Sequence, residues 1–295
     1  MWMVFRLTTF PSMTDILNGT HTTATVAVGE ILDAARELAR AGRTARALTL
    51  LDSVETSDPA DRARLALAAA DALMETAWFT DFGGLPARLA TVDELATAAE
   101  LAPDDRWDLA FLHLRHDYAA LILGDGSFQP GPDGKDPGTM AALRRRGGEL
   151  RNTAPDPHRR GWAHMYLGLI ADNVFAERAA AFPEYLAALE AGETGDDLLA
   201  REALRHLGDH AHGDGEHALA LERWRRATAL GARAGNVAGT LSQQILLVVS
   251  ARDAGDEAGA RALATEIARW AEAMGADRLA ERATSLMSGD TEVAS

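Results

Sequence analysis

Residues 156 to 275 repeat their pattern at an interval of 40 positions, which constrains the fold more tightly than any other feature of the chain. Leu207, Gly208 and Ala211, followed by Ala220, Trp224 and Ala227, occupy slots that one interval upstream hold Leu167, Gly168, Ala171, Ala180, Glu184 and Ala187. One interval downstream the slots hold Leu247, Val248, Ala251, Ala260, Ala264 and Ile267. Asp156, Asp196 and Asn236 open the units, and Gly195, Gly235 and Gly275 close them. Small residues let two antiparallel helices approach closely, and the large apolar neighbours fill the remaining gap. Glycine tolerates the left-handed conformation past a helix end, while Asp or Asn caps the exposed amides of the next helix. The predicted unit is a helical hairpin.

Leu204-x-x-Leu207-Gly208-x-x-Ala211, with Ala220-x-x-x-Trp224 after it, resembles the tetratricopeptide repeat over three units, roughly residues 157 to 275. The units exceed the usual length of about 34 residues, and no proline closes them, which longer helices would explain. The resemblance implies an all-α, right-handed superhelical stack of antiparallel helix pairs (a TPR-like α-solenoid), with about six pairs and a C-terminal capping helix. The units also look similar to the repeat sensor regions of large bacterial transcription activators.

Upstream the pattern is looser. Residues 1–25 read as a tail, with Met13 expected as the native start, and residues 26–288 as one repeat domain. Ile31, Leu32, Ala35, Leu38 and Ala39 form one apolar stripe and Ala45, Leu48, Leu51 and Val54 a second, so residues 27–55 read as a short first unit. Asp58 and Pro59 start a helix expected to run to about Phe79, and a partner is expected from about Val92 to Ala102, closed by Pro103. Another helix should open after Asp104 and Asp105. The connection from Gly124 to Gly138 reads as a long irregular loop, either functional or a plain insertion, before a helix from Met140 to about Leu150 weakened by Gly147 and Gly148. A capping helix is expected over Asp277 to Met287, and residues 289–295 read as a second tail.

A net charge of -15 argues against a nucleic-acid partner, because a surface that neutralises phosphates is hard to build against that field. Lys135 is the only lysine, which with the abundant alanine suggests the genome of a GC-rich bacterium. The chain has no cysteine, which excludes disulfides and thiolate metal sites, and it has no apolar run of membrane-spanning length or secretory pattern. A cytoplasmic location without membrane association is therefore expected.

Candidate chemistry is sparse. His206 and His210 stand four apart on one helix, with His212 nearby, yet no zinc-protease motif accompanies them; they read as polar surface positions and no metal is expected. His113 and Asp117, also four apart, could pair as a base and its carboxylate, but an inter-helix polar pair fits as well. Phosphate loops, nucleophile elbows and dinucleotide fingerprints are absent from the sequence, so neither catalysis nor a cofactor is expected. Aromatic residues gather between Trp78 and Tyr185, including Trp107 and Trp162, as packing or as the walls of a pocket.

The repeat resemblance implies that the first helix of each unit lines a concave face. That assigns Glu202, Arg205, Asp209 and His212 to the face in one unit, Trp162, Met165, Leu169, Asp172 and Asn173 in the preceding one, and Ser242, Ile245, Val249 and Arg252 in the following one. Two functions stay open. The first is a peptide- or protein-binding adaptor or regulatory sensor that captures its partner in the groove; the second is a small-molecule binder or atypical enzyme with a pocket in the aromatic middle, residues 78–185. Homodimerisation through exposed repeat faces is a third possibility.

Overall fold

The computed structural model describes residues 26–124 and 127–287; both expected tails and the Met13 start lie outside them. Thirteen α-helices follow one another among the described residues. They are α1 (Val28–Arg40), α2 (Thr44–Asp52), α3 (Pro59–Ala77), α4 (Leu85–Ala98), α5 (Pro103–Ile122), α6 (Pro137–Thr153) and α7 (Pro157–Leu169). After a π-helical turn (Ile170–Val174) come α8 (Arg178–Gly192), α9 (Asp197–Gly213), α10 (His217–Arg233), α11 (Val237–Asp253), α12 (Glu257–Met274) and α13 (Asp277–Met287). Consecutive helices pack against each other, giving an all-α solenoid of six pairs and a final single helix.

The punctuation acts as its chemistry requires. Asp156 accepts from the Arg159 amide (2.9 Å), Asp196 from Leu198 and Leu199 (3.1 and 3.0 Å), and Asn236 from Gly239 (2.9 Å), so each unit begins on a side-chain cap. Gly235 and Gly275 take φ values of 70° and 69°, and Gly195 takes 137°. Gly208 lies against the Trp224 ring and Gly168 against Tyr185, so closely that a methyl group on either glycine would strike the ring. The pairing of a bare backbone with a large aromatic sets the approach of α9 to α10 and of α7 to α8.

Tyr185 corrects the slot assignment. The interval of 40 equates Trp224 with Glu184, whereas the buried residues of α8 are Ala181, Tyr185 and Ala188, each one position later than expected; Ala180 is exposed, and Glu184 and Ala187 are half-buried. The π turn is the cause. Glu216 and Asp256 close their hairpins by donating to carbonyls five residues back, at Ala211 and Ala251, but Glu177 donates to Ala171, six back, at 2.8 Å. One extra residue has entered the first helix of this unit and one has left the second, so the repeat length survives while the register shifts. The left-handed turn residue moves with it, to Ala176 at φ 57°, where neighbouring units place Gly215 and Gly255.

Other boundaries also differ. The helix α4 starts at Leu85, earlier than expected, because Gly84 and Pro86 begin it instead of breaking the chain. Pro103 similarly stands in the first turn of α5 and does not terminate the preceding helix. The segment expected to be irregular opens with a two-residue antiparallel hairpin, Leu123 opposite Phe128. It then docks on the next unit, where the Gly131 amide donates to the Asn173 carbonyl (2.8 Å). Gly147 does not weaken α6; it makes room for Leu167, whose Cδ2 would stand 2.9 Å from an added Cβ.

The solenoid closes on itself. The Arg278 amide at the start of α13 donates to the Phe79 carbonyl after α3 (3.2 Å), and the Phe79 side chain packs into the core formed by Ile245, Ile267 and Leu279. Gly42, in the turn between α1 and α2, meets Met274 at the end of α12. The capping helix therefore covers the end of the stack and also joins it to the second unit.

Glycine substitutions separate these roles. Gly208→Ala should lower unfolding stability by about 1–3 kcal/mol through overpacking against Trp224. Gly148→Ala, in the same kind of helix but with open space around it, should be neutral or raise stability by up to about 1 kcal/mol. Urea denaturation of the two variants would check the contrast.

Candidate functional site

The concave face of the stack lines a cavity of about 1180 Å³ that remains partly open to solvent. Every first helix contributes to its wall: Leu32 from α1, Asp71 from α3, Arg115 from α5, Trp162 from α7, Arg205 from α9 and Ser242 from α11, with Arg282 from α13 completing it. The volume falls at or just above the range of about 300–1,000 Å³ usual for small-molecule sites.

The wall is graded along the helices. At the N-terminal ends of α5, α7 and α9 it presents Asp104, Asp105, Asp156 and Asp196, where carboxylates suit the helix dipoles. Arg159 ties two of these helices together, binding Asp108 through Nε and Nη2 (2.7 and 2.6 Å) and Asp156 through Nη1 (2.6 Å). Trp162 Nε1 donates to the Asp196 carboxylate (2.8 Å), linking this rim to the next unit.

From the second turn of α5 onward the wall becomes aromatic. Phe111 stacks on Trp107 (4.9 Å between centroids) and meets Tyr166 edge-on (5.1 Å), and Tyr166 in turn meets Tyr118 (5.6 Å). Phe128, carried by the short hairpin, completes this side. Asn173, in the π turn, donates to the Tyr118 hydroxyl oxygen (2.7 Å), leaving the tyrosine proton free for another acceptor.

Interspersed with the aromatic residues is a belt of charge. Arg115 pairs with Asp71 at 2.5 Å, and the buried Arg201 pairs with Glu202 and donates to the Gly239 carbonyl (2.7 Å). Glu75 is pushed up to about 7, chiefly by burial and then by the neighbouring Asp71 carboxylate, against the opposing pull of Arg115, Arg40 and Arg36. Burial, with Arg205 beside it, lowers His206 and favours its neutral form. Burial and Arg205 together push Arg282 down to about 10. The Nε–H groups of Arg40 and Arg205 are buried without a hydrogen-bond partner among the described residues.

Of the residues anticipated from sequence, Trp107, Trp162, Met165, Leu169, Asn173, Glu202, Arg205 and Ser242 line this cavity. The others lie elsewhere. His113 bonds Asp93 (2.8 Å) and not Asp117, which instead pairs with Arg146 (2.5 Å); α4 and α6 capture the two side chains separately. Asp172 is turned into the hairpin by the π turn, where it accepts from Tyr185 (3.3 Å) and meets His210 (2.7 Å). Burial raises that carboxyl, but the hydrogen bonds from His210 and Tyr185 and the two nearby histidines together hold Asp172 below its ordinary range. Asp209 accepts from Trp224 (3.0 Å), Ile245 is in the C-terminal core, and Arg252 bonds the Leu286 carbonyl.

His206 and His210 both pack on the Tyr185 ring, the first stacked at 5.1 Å and the second edge-on at 5.5 Å. His212 turns outward to His217 and Asp253, with ligand atoms within 4.8 Å of one another. Sequence reasoning missed Arg40, Asp71, Glu75, Arg115 and Arg201. The available signal was charge at helical spacing within alanine-rich first helices: Arg36 and Arg40, Asp71 and Glu75, Arg201 and Arg205. A scan against protein-family models and a search of curated proteins found no match to the chain. No described helix is long and apolar enough to cross a membrane.

Glu75 gives the cavity a pH signature. Its folded value of about 7 stands above the ordinary 4.5, so the folded state holds the proton more tightly than the unfolded state. Its stabilising contribution is full below the ordinary value and is lost as pH rises through about 7. Glu75→Gln should flatten the decline in stability between those two pH values and gain on the wild type in alkaline buffer. Urea midpoints measured across that range for both proteins would test it; parallel profiles would refute the assignment.

Proposed function

We propose that this protein is a TPR-like binding module whose first helices surround a small ligand. The observation that supports this reading is the partly open cavity to which all six helix pairs and α13 contribute. A helix with side chains is about 10–12 Å across and rises about 1.5 Å per residue, so roughly eight residues of it would fill the available volume. A folded partner is thus too large for the interior, whereas a small molecule or a very short peptide fits. The mixed wall suits such an occupant: aromatic rings to bury an apolar body and a charged belt to fix its orientation.

The pocket expected in the aromatic middle is part of this cavity, and the groove expected for a protein partner is its wall. Regulation follows naturally from the closure. A ligand touching α3, α9 and α13 at once would strengthen the seam between the last helix and the second unit, and a partner reading the outer surface would sense its presence. The role proposed is therefore a ligand-responsive sensor or adaptor.

Ala68 lines the cavity from α3 and is half-buried, so a large side chain there would enter the lumen. In a thermal-shift screen of small metabolites, a true ligand at about a hundredfold excess over its dissociation constant should add about 2.7 kcal/mol of stability. Ala68→Trp should abolish that gain while leaving the far-ultraviolet circular dichroism of the helices intact. A ligand that stabilises the Ala68→Trp variant as strongly as the wild type binds somewhere else.

A further inference from the structure

Arg205 is one of three lumen arginines, with Arg40 and Arg201, whose Nε–H is buried without a partner, and unlike Arg201 it has no carboxylate within ion-pair distance among the described residues. Arg115 has Asp71 at 2.5 Å, Arg159 has Asp108 and Asp156, and Arg201 has Glu202 and the Gly239 carbonyl. The Arg205 Nε–H is buried with no acceptor, and no carboxylate among the described residues forms an ion pair with its guanidinium. A guanidinium carries a permanent charge and five N–H donors, and leaving such a group unsatisfied in a protein interior is costly. The nearest acids are already engaged: Glu202 with Arg201, and Asp209 with the Trp224 indole at 3.0 Å.

Its surroundings hold charge of both signs. Burial and then Arg205 lower Arg282 on α13, Arg201 stands one helical turn away, and the Glu202 carboxyl, raised by burial, is held below its ordinary range by Arg201 and Arg205. His206, the next residue, is held neutral by burial and by Arg205 and adds no negative charge. Across the lumen Tyr118 interacts with Arg205, and its hydroxyl, already accepting from Asn173, has a proton to donate. The lumen wall as a whole balances arginines with carboxylates, but the donors of Arg201, Arg282 and Tyr118 gather around Arg205. A planar fork of N–H donors beside a second guanidinium is suited to two oxygens of a carboxylate or phosphate.

We propose that the lumen ligand is a small organic oxyanion, its carboxylate or phosphate seated on the Arg205 guanidinium and its apolar or aromatic body lying against Tyr118 and Tyr166. This assignment rests on the cavity reading above and adds the charge and the polarity of the ligand. Bound in this way, the anion would satisfy the Arg205 donors, offset the repulsion between Arg205 and Arg282, and accept the Tyr118 proton. It would also connect α5, α9 and α13, which are far apart in the chain.

The test uses matched probes on the full chain: benzoate, phenyl phosphate and indole-3-acetate against benzamide and indole-3-acetamide, by calorimetry and thermal shift. At least one anionic probe should bind at least tenfold more tightly than its neutral counterpart. Arg205→Gln should reduce that preference to near unity, and Arg205→Lys, which keeps the charge but loses the fork, should restore only part of it. The Arg205 Nε–H resonance, identified by its disappearance in the Gln variant, should shift on titration of the wild type with the anion. Neutral and anionic probes that bind equally, and lose binding in Ala68→Trp, would overturn the oxyanion site while sustaining the cavity reading. A charge preference that survives Arg205→Gln would overturn the site as well. Failure of every probe to bind would overturn both readings.

Discussion

The structure depends on the contact between a glycine in one helix and an aromatic ring in the next. At Gly208 and Trp224, and again at Gly168 and Tyr185, the ring occupies the space a side chain would otherwise fill, which fixes the separation and tilt of each helix pair. Interiors are packed densely enough that such a contact allows little latitude. Stacking six helix pairs curves the array until the last helix meets Phe79 and Met274 meets Gly42. The lumen is a consequence of that accumulated curvature.

The π turn shows how a repeat array acquires an individual site without losing its period. Adding one residue to the first helix of the fourth unit and removing one from the second preserves the interval and the Gly168–Tyr185 contact. It rotates the helix end, however, so that Asp172 faces Tyr185 and His210 while Asn173 reaches Tyr118. Insertions of this kind are frequent at functional sites. Here the inserted turn sits beside the aromatic residues of the lumen and receives the loop after the hairpin through the Gly131–Asn173 hydrogen bond.

Electrostatics divides the molecule into two regions. The exterior carries the acidic excess, much of it in ion pairs at exposed positions such as Arg226 with Glu193, which contribute about 0–1 kcal/mol each. The interior belt concentrates arginines together with Glu75, whose proton affinity is raised by burial. In a low-dielectric enclosure an unpaired charge is expensive and an incoming counter-charge correspondingly favourable. On the proposed reading the lumen would discriminate by charge as well as by shape.

The sequence by itself determined the helical class, the three capped and glycine-terminated units, the number of pairs and the bounds of α13, because caps, left-handed turns and apolar stripes are local signals carried by a few adjacent residues. Its resemblance to the tetratricopeptide repeat also marked Trp162, Met165, Asn173, Glu202 and Arg205 as inward-facing, and they line the cavity. Only the tertiary structure decided that the stack closes, that Asp172 and Asp209 are consumed by neighbouring side chains, and that Tyr185 replaces Glu184 in the repeat. Closure sums small rotations over six units, and no single window of residues encodes it. The register shift stems from one residue moved between helices, which leaves the interval of 40 unchanged and is visible only in which carbonyl receives the Glu177 amide.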